Sequence, residues 1–171
     1  MGNKFVIGDP ARCIGCGTCL AACMMEHEPF DGVPIPRLNL IKTYRVSTPV
    51  GCHHCQDASC VAACPQKVLC NEDGKVYAKD KGCIGCYSCV IACPYGAIDI
   101  ISVESPVTYN GITYKIGTRS QPLKCDLCVS RGELGPACVS HCLTKSLQYL
   151  DEDSIAQLVL DRQKAAATAL A

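Results

Sequence analysis

About one residue in ten of this chain is cysteine, 17 in 171. Such a density fits either a disulfide scaffold in an oxidising compartment or a set of metal sites in a reducing one. The order of the cysteines decides between them. Sixteen fall into four runs of four, and only Cys70 is left over. The first run is Cys13-x2-Cys16-x2-Cys19-x3-Cys23. The second is Cys52-x2-Cys55-x4-Cys60-x3-Cys64-Pro65. The third is Cys83-x2-Cys86-x2-Cys89-x3-Cys93-Pro94. The fourth is Cys125-x2-Cys128-x9-Cys138-x3-Cys142. Zinc knots also use Cys-x2-Cys, but in separated pairs that supply four convergent ligands. Spacings of two, two and three do something else. Three thiolates wrap one face of a cubane from a tight loop, and the fourth, on the helix that follows, points away.

The third run matches the bacterial C-x2-C-x2-C-x3-C-P pattern of [4Fe–4S] ligation without a gap. The first run is its internal copy, Cys13-Ile14-Gly15-Cys16 lining up with Cys83-Ile84-Gly85-Cys86. Glycine at 15, 17 and 85 lets the backbone pass close to a cluster, with N–H groups aimed at sulfur. Proline follows Cys64 and Cys93 and ends the turn there. Met24 and Leu143 stand in its place after Cys23 and Cys142. Because all sixteen positions are cysteine, four [4Fe–4S] clusters are expected.

In two-cluster ferredoxins the fourth cysteine of each run serves the other cluster. The second and third runs have the separation of a compact ferredoxin and are paired on that ground. One cluster then takes Cys52, Cys55, Cys60 and Cys93, and another takes Cys83, Cys86, Cys89 and Cys64. By elimination the first and fourth runs share the other two. These take Cys13, Cys16, Cys19 and Cys142, and Cys125, Cys128, Cys138 and Cys23. Lys4–Ile7 is expected to pair with Leu147–Leu150 across the outer module, and Val76–Ala78 with Ile98–Ile101 across the inner one.

Lys plus Arg equal Asp plus Glu at sixteen each, with no basic block, which argues against nucleic acid. Four clusters at about −2 each would make the loaded protein strongly acidic. The first residues carry no signal-peptide h-region, and no apolar run is long enough to span a membrane. A reducing, cytoplasmic setting is expected. With no Trp and two Phe, the core needs its clusters as staples.

The four runs, together with Cys52-His53-His54-Cys55, Lys124-Cys125-Asp126-Leu127-Cys128 and Gly135-Pro136-Ala137-Cys138, resemble a known family over about 4–150. It comprises the four-cluster, ferredoxin-like subunits of molybdenum and tungsten pterin oxidoreductases, of formate dehydrogenase, formate hydrogenlyase and tungsten aldehyde oxidoreductase type. That resemblance implies a non-catalytic electron-transfer subunit. Its partners would be a Mo/W-pterin catalytic subunit and a second redox subunit of flavin/NAD or hydrogenase type. The alternative is a free soluble polyferredoxin.

The expected fold is α+β, with two nested ferredoxin-like modules of short antiparallel strands and short helices, followed by a C-terminal helix. Residues 1–23 and 103–150 form the outer module, 24–51 an insert, 52–102 the inner module and 151–171 the helix. Within the insert Arg37–Val46 reads as a strand. Val107–Tyr114 reads as a hairpin with a type I′ turn at Asn110-Gly111. His53, His54 and His141 read as solvent-facing loop residues, and Cys70 as a half-buried residue at a strand edge. Asp153 or Ser154 is expected to cap the final helix. That helix either packs back on the core or binds another subunit, a copy of this chain included.

Overall fold

Residues 3–79 and 81–169 are described by the computed structural model. Cysteine loops alternate with hairpins along it. β1 (Phe5–Gly8) leads into the first loop, and α1 (Thr18–Glu26) carries Cys19 and Cys23. β2 (Asn39–Lys42) and β3 (Ser47–Val50) follow, then α2 (Ser59–Ala62) with Cys60. β4 (Leu69–Glu72) and β5 (Lys75–Ala78) precede α3 (Ser88–Ala92) with Cys89. The long strands β6 (Ile98–Tyr109) and β7 (Ile112–Lys124) lead to a 3-10 segment, Val129–Leu134. α4 (Ala137–Ser140), β8 (Leu147–Leu150) and α5 (Glu152–Ala169) complete the chain.

The described strands form four antiparallel two-stranded ribbons: β1–β8, β2–β3, β4–β5 and β6–β7. β1 joins β8 from Phe5 opposite Leu150 to Gly8 opposite Leu147, the pairing expected from the sequence. The expected pairing of Val76–Ala78 with Ile98–Ile101 is overturned. β5 pairs with β4, and β6 with β7. The cause is local. Asp73 and Gly74, at φ 51° and 71°, sit between the paired residues Glu72 and Lys75, so a two-residue turn closes β4 onto β5. Asn110 and Gly111, at φ 50° and 77°, do the same for β6 and β7. Here the type I′ turn stands where the sequence puts it, but the ribbon runs back to Ile98 and Lys124.

Arg37–Val46 is not one strand. Thr43 turns the chain: its N–H donates to the Val46 carbonyl at 2.8 Å, and its hydroxyl oxygen accepts the amides of Arg45 and Val46. The insert is therefore a hairpin, and Leu38 at its base is buried against Val6, Cys23 and Leu127.

Two packed cores result. One joins Val6, Leu38, Ala97, Leu127 and Leu147 to Cys19, Cys23, Cys52, Cys125 and Cys138. The other joins Leu69, Val76, Ile98 and Ile100 to Cys60 and Cys89. Cys93 packs against both. In this chain cysteine sulfur takes the place that large side chains occupy elsewhere.

Candidate metal centres

The structure brings twelve of the sixteen motif cysteines together in three cavities. Cys13, Cys16, Cys19 and Cys142 line one cavity, roofed by Leu40 and Pro49 of the insert hairpin. Cys52, Cys55, Cys60 and Cys93 line a second. Cys64, Cys83, Cys86 and Cys89 line a third. Cys23, Cys125, Cys128 and Cys138 are all buried. Cys23, Cys125 and Cys138 share one packed core with Cys19 and Cys52. In each of the three cavities one cysteine comes from a different run than the other three. All 17 cysteines are free thiols, so no disulfide competes for them.

The loops that present the thiols share a backbone device. The second residue after the first cysteine of each run is left-handed: Gly15 at 67°, His54 at 47°, Gly85 at 67° and Leu127 at 63°. This curls the loop so that successive thiols face one centre. Gly85 has a second reason to be glycine, because a Cβ there would lie 2.7 Å from the Ser120 hydroxyl. His54 and Leu127 accept the strain that glycine avoids.

A second device follows the fourth cysteine. Lys67, Gly96 and Lys145 each lie three residues after it with φ of 51°, 58° and 51°. Each donates its amide back to that cysteine's carbonyl, at 3.2, 3.2 and 3.1 Å. Leu143 thus sustains the same turn as Pro65 and Pro94. Met24 does not. α1 runs on to Glu26, three residues beyond Cys23, and the insert follows.

The donor chemistry fits thiolate ligation. Backbone amides donate to sulfur at Cys52 (from His54, 3.4 Å), Cys64 (from Val68, 3.3 Å) and Cys93 (from Ala97, 3.4 Å). Cys125 accepts the Leu127 amide at 3.4 Å, and Cys23 the Arg37 amide at 3.2 Å. Such donors stabilise negative sulfur and tune a bound cluster. At Cys142 burial opposes ionisation, but the Ser146 hydroxyl and the Leu147 amide outweigh it and bring the thiol down to about 7. Burial dominates at Cys23 and Cys60, both pushed up to about 11, and at Cys138, pushed up to about 12. Those thiols stay protonated until a cation replaces the proton.

The runs also match known proteins. Two models, each described as a 4Fe-4S dicluster domain, match residues 12–68 and 44–152. The chain belongs to the 4Fe-4S dicluster family. Two dicluster domains carry four [4Fe–4S] clusters. The chain is 36% identical to the putative electron transport protein YsaA of Escherichia coli K12, over 94% of this chain and 98% of the relative. It is 35% identical to the E. coli electron transport protein HydN, over 95% and 96%. It is 37% identical to E. coli formate hydrogenlyase subunit 2, over 91% and 86%. Electron transfer through 4Fe-4S clusters is this dicluster protein's function. Among its described residues no helix is long and apolar enough to cross a membrane.

Around the cysteines the structure corrects the reading of the histidines. His54 is fully buried, and its Nδ1 accepts the Val76 amide at 3.0 Å. Burial, with the charges of Lys124 and Lys75, lowers its pKa to about 3 and keeps it neutral. His53 is sandwiched between rings, 3.9 Å from Tyr95 and 5.2 Å from Phe5. It ties β1 to the loops of Cys52 and Cys93. Only His141 is exposed, with Nδ1 2.9 Å from the Ala137 carbonyl. Cys70 is half-buried on β4, opposite Tyr77.

The roles of four polar side chains beside the sulfurs escape a sequence reading. Arg37 pairs with Asp126 at 2.5 Å, and the Asp126 carboxylate also accepts the Cys128 amide at 3.0 Å. His27 Nε2 lies 3.4 Å from that carboxylate and 3.6 Å from the Cys128 sulfur. Lys124 is buried at the end of β7. The last had one signal, a lysine between an apolar strand end and a ligand. The others meet only through the fold.

Proposed function

We propose that this chain relays single electrons through four sites in line, between a molybdenum- or tungsten-pterin catalytic subunit and a second redox subunit. The four ligand sets are Cys13, Cys16, Cys19 and Cys142; Cys23, Cys125, Cys128 and Cys138; Cys52, Cys55, Cys60 and Cys93; and Cys64, Cys83, Cys86 and Cys89. When bound, each [4Fe–4S] cluster accepts and releases one electron. The residues do the rest: they set spacing, exclude water and aim amides at sulfur.

The carrying observation is exposure. Of the sixteen motif cysteines, Cys16 and Cys86 alone are exposed. They are the matching residues of the first and third runs, each beside an exposed isoleucine, Ile14 and Ile84. Between them packing is continuous. α1 lies on α4, one core joins Cys19, Cys23, Cys125, Cys138 and Cys52, and the other joins Cys60 to Cys89. Two exits and a buried middle are what a relay between two partners requires. The outer module (1–23 and 103–150) then holds one half of the line and the inner module (52–102) the other. The insert (24–51) covers the first site. The chain itself is non-catalytic and cytoplasmic on this reading, and a relative named as a subunit of formate hydrogenlyase supports a place in a larger redox complex.

Anaerobic purification tests it. The expected product is a brown protein with about sixteen irons and as much acid-labile sulfide, co-purifying with a pterin-containing subunit. Isolation as a monomer, with no pterin-containing partner, would instead establish the free polyferredoxin. Replacement of Cys93 by Ser should perturb the site of Cys52, Cys55 and Cys60. Perturbation confined to the site of Cys83, Cys86 and Cys89 refutes the ligand sets.

A further inference from the structure

Lys124 lies where the two halves of the line meet. It is 4% exposed. Its Nζ donates to the Val76 carbonyl on β5 and, at 2.7 Å, to the Cys125 carbonyl. Among the described residues no carboxylate lies within ion-pair distance of it. The nearby carboxylate of Asp126 is taken by Arg37 and His27. His54, a titratable neighbour on the inner side, is kept neutral by burial and supplies no counter-charge. A buried ammonium with no counter-charge is costly, and proteins keep one only against negative charge.

That negative charge belongs to the two inner sets, one buried throughout and the other with Cys52 and Cys60 buried and Cys55 and Cys93 half-buried. Lys124 is bonded to the carbonyl of Cys125 on one side and on the other to that of Val76, which lines the cavity of Cys52, Cys55, Cys60 and Cys93. An oxidised [4Fe–4S] centre with four thiolates carries about −2, and a single added electron makes it more negative. A fixed cation in a dry interior favours the more negative state. Net local charge and burial are among the levers that set the potential of such centres.

We propose that Lys124 is the counter-ion shared by the two inner sites, and that its ammonium raises the reduction potential of both. An electron entering from a partner then rests in the middle of the molecule rather than at the exposed sites of Cys16 and Cys86. Each reduction adds one electron to one centre. The inference rests on the ligand sets proposed above.

The test is a redox titration of the anaerobically loaded full chain, followed by electron paramagnetic resonance, for the native protein, Lys124→Met and Lys124→Arg. In Lys124→Met the ratio of reduced to oxidised centre at a fixed potential should fall at least tenfold for two of the four centres. For a one-electron couple that is 59 mV. The other two should not move, and Lys124→Arg should stay close to native. Four unchanged centres in Lys124→Met overturn the proposal. Should that variant fail to load, the native protein still decides. The signal of highest potential must be missing from Cys125→Ser or Cys60→Ser. If it is missing from Cys16→Ser or Cys86→Ser instead, the proposal is wrong. A failure of the ligand sets is a different result, because Cys93→Ser would then disturb the signal that Cys89→Ser disturbs rather than the one that Cys60→Ser disturbs.

Discussion

His54 does two incompatible things well enough to be kept. Its backbone holds the left-handed position that glycine holds in the first and third loops. Its ring accepts the Val76 amide inside the protein. Losing that acceptor leaves a buried N–H without a partner, at a cost of about 1–3 kcal/mol. His54→Ala is therefore expected to raise the exchange rate of the Val76 amide, read by hydrogen exchange on the loaded protein. His54→Gly removes the same acceptor but relaxes the backbone, so it should be less destabilising than His54→Ala by about 1 kcal/mol. Equal losses in the two variants would mean that the left-handed turn stores no strain. The cysteine runs were legible from sequence because each opens on a spacing of two and closes on a spacing of three. The ring of His54 was not. Its burial depends on β5 being folded against it, and β5 is placed by a turn twenty residues away. Arg37 and Asp126 are further apart still, and nothing in either neighbourhood announces the pair.

The elements follow the same division between local and distant causes. α5 was legible, but its cap is Asp151 rather than Asp153 or Ser154. The Asp151 carboxylate accepts the Ser154 hydroxyl at 2.5 Å and the Ser154 amide at 2.9 Å. Those bonds, the hydroxyl first, hold its pKa below the ordinary carboxylate value. The sign follows: the cap is complete above the usual carboxylate range and is lost as pH falls through the lowered value. Asp151→Ala should speed exchange at Ser154 and Ile155 near neutral pH, whereas Asp151→Asn, which can also accept, should not. The β6–β7 ribbon is a longer element than its turn signal suggested, because β-pattern reading stops at the polar stretch around Ser102. Its base carries Ile98, Ile100 and Leu123 into the core, while the tip at Tyr109 and Ile112 is exposed. Replacing residues 103–119 by Asn-Gly keeps Ser102 opposite Ser120. The shortened protein should still bind about sixteen irons. A loss of iron on trimming would make the outer ribbon part of the cluster-holding core.

At the scale of the molecule, exposure grades the four proposed sites. The set of Cys23, Cys125, Cys128 and Cys138 is buried throughout, whereas the sets of Cys16 and Cys86 each open to solvent. The sequence carries the membership of the runs but not this gradient, since exposure depends on where the insert hairpin and the β6–β7 ribbon lie. The formal net charge of the chain is zero, so the clusters supply the negative charge of the loaded protein. A small neutral oxidant is then neither attracted nor repelled, and access alone governs its attack. Hydrogen peroxide added below the cluster concentration should damage the sites of Cys16 and Cys86 first. Thiols released by the damage can be alkylated and mapped by mass spectrometry. Label is expected on Cys13, Cys16, Cys19 and Cys142, and on Cys64, Cys83, Cys86 and Cys89, before it reaches Cys125 or Cys138. Because a damaged centre releases its ligands together, the same map reads the ligand sets directly. Early label on Cys23 with Cys13, Cys16 and Cys19 would put all four thiols of the first run on one centre, and the crossed arrangement would fall.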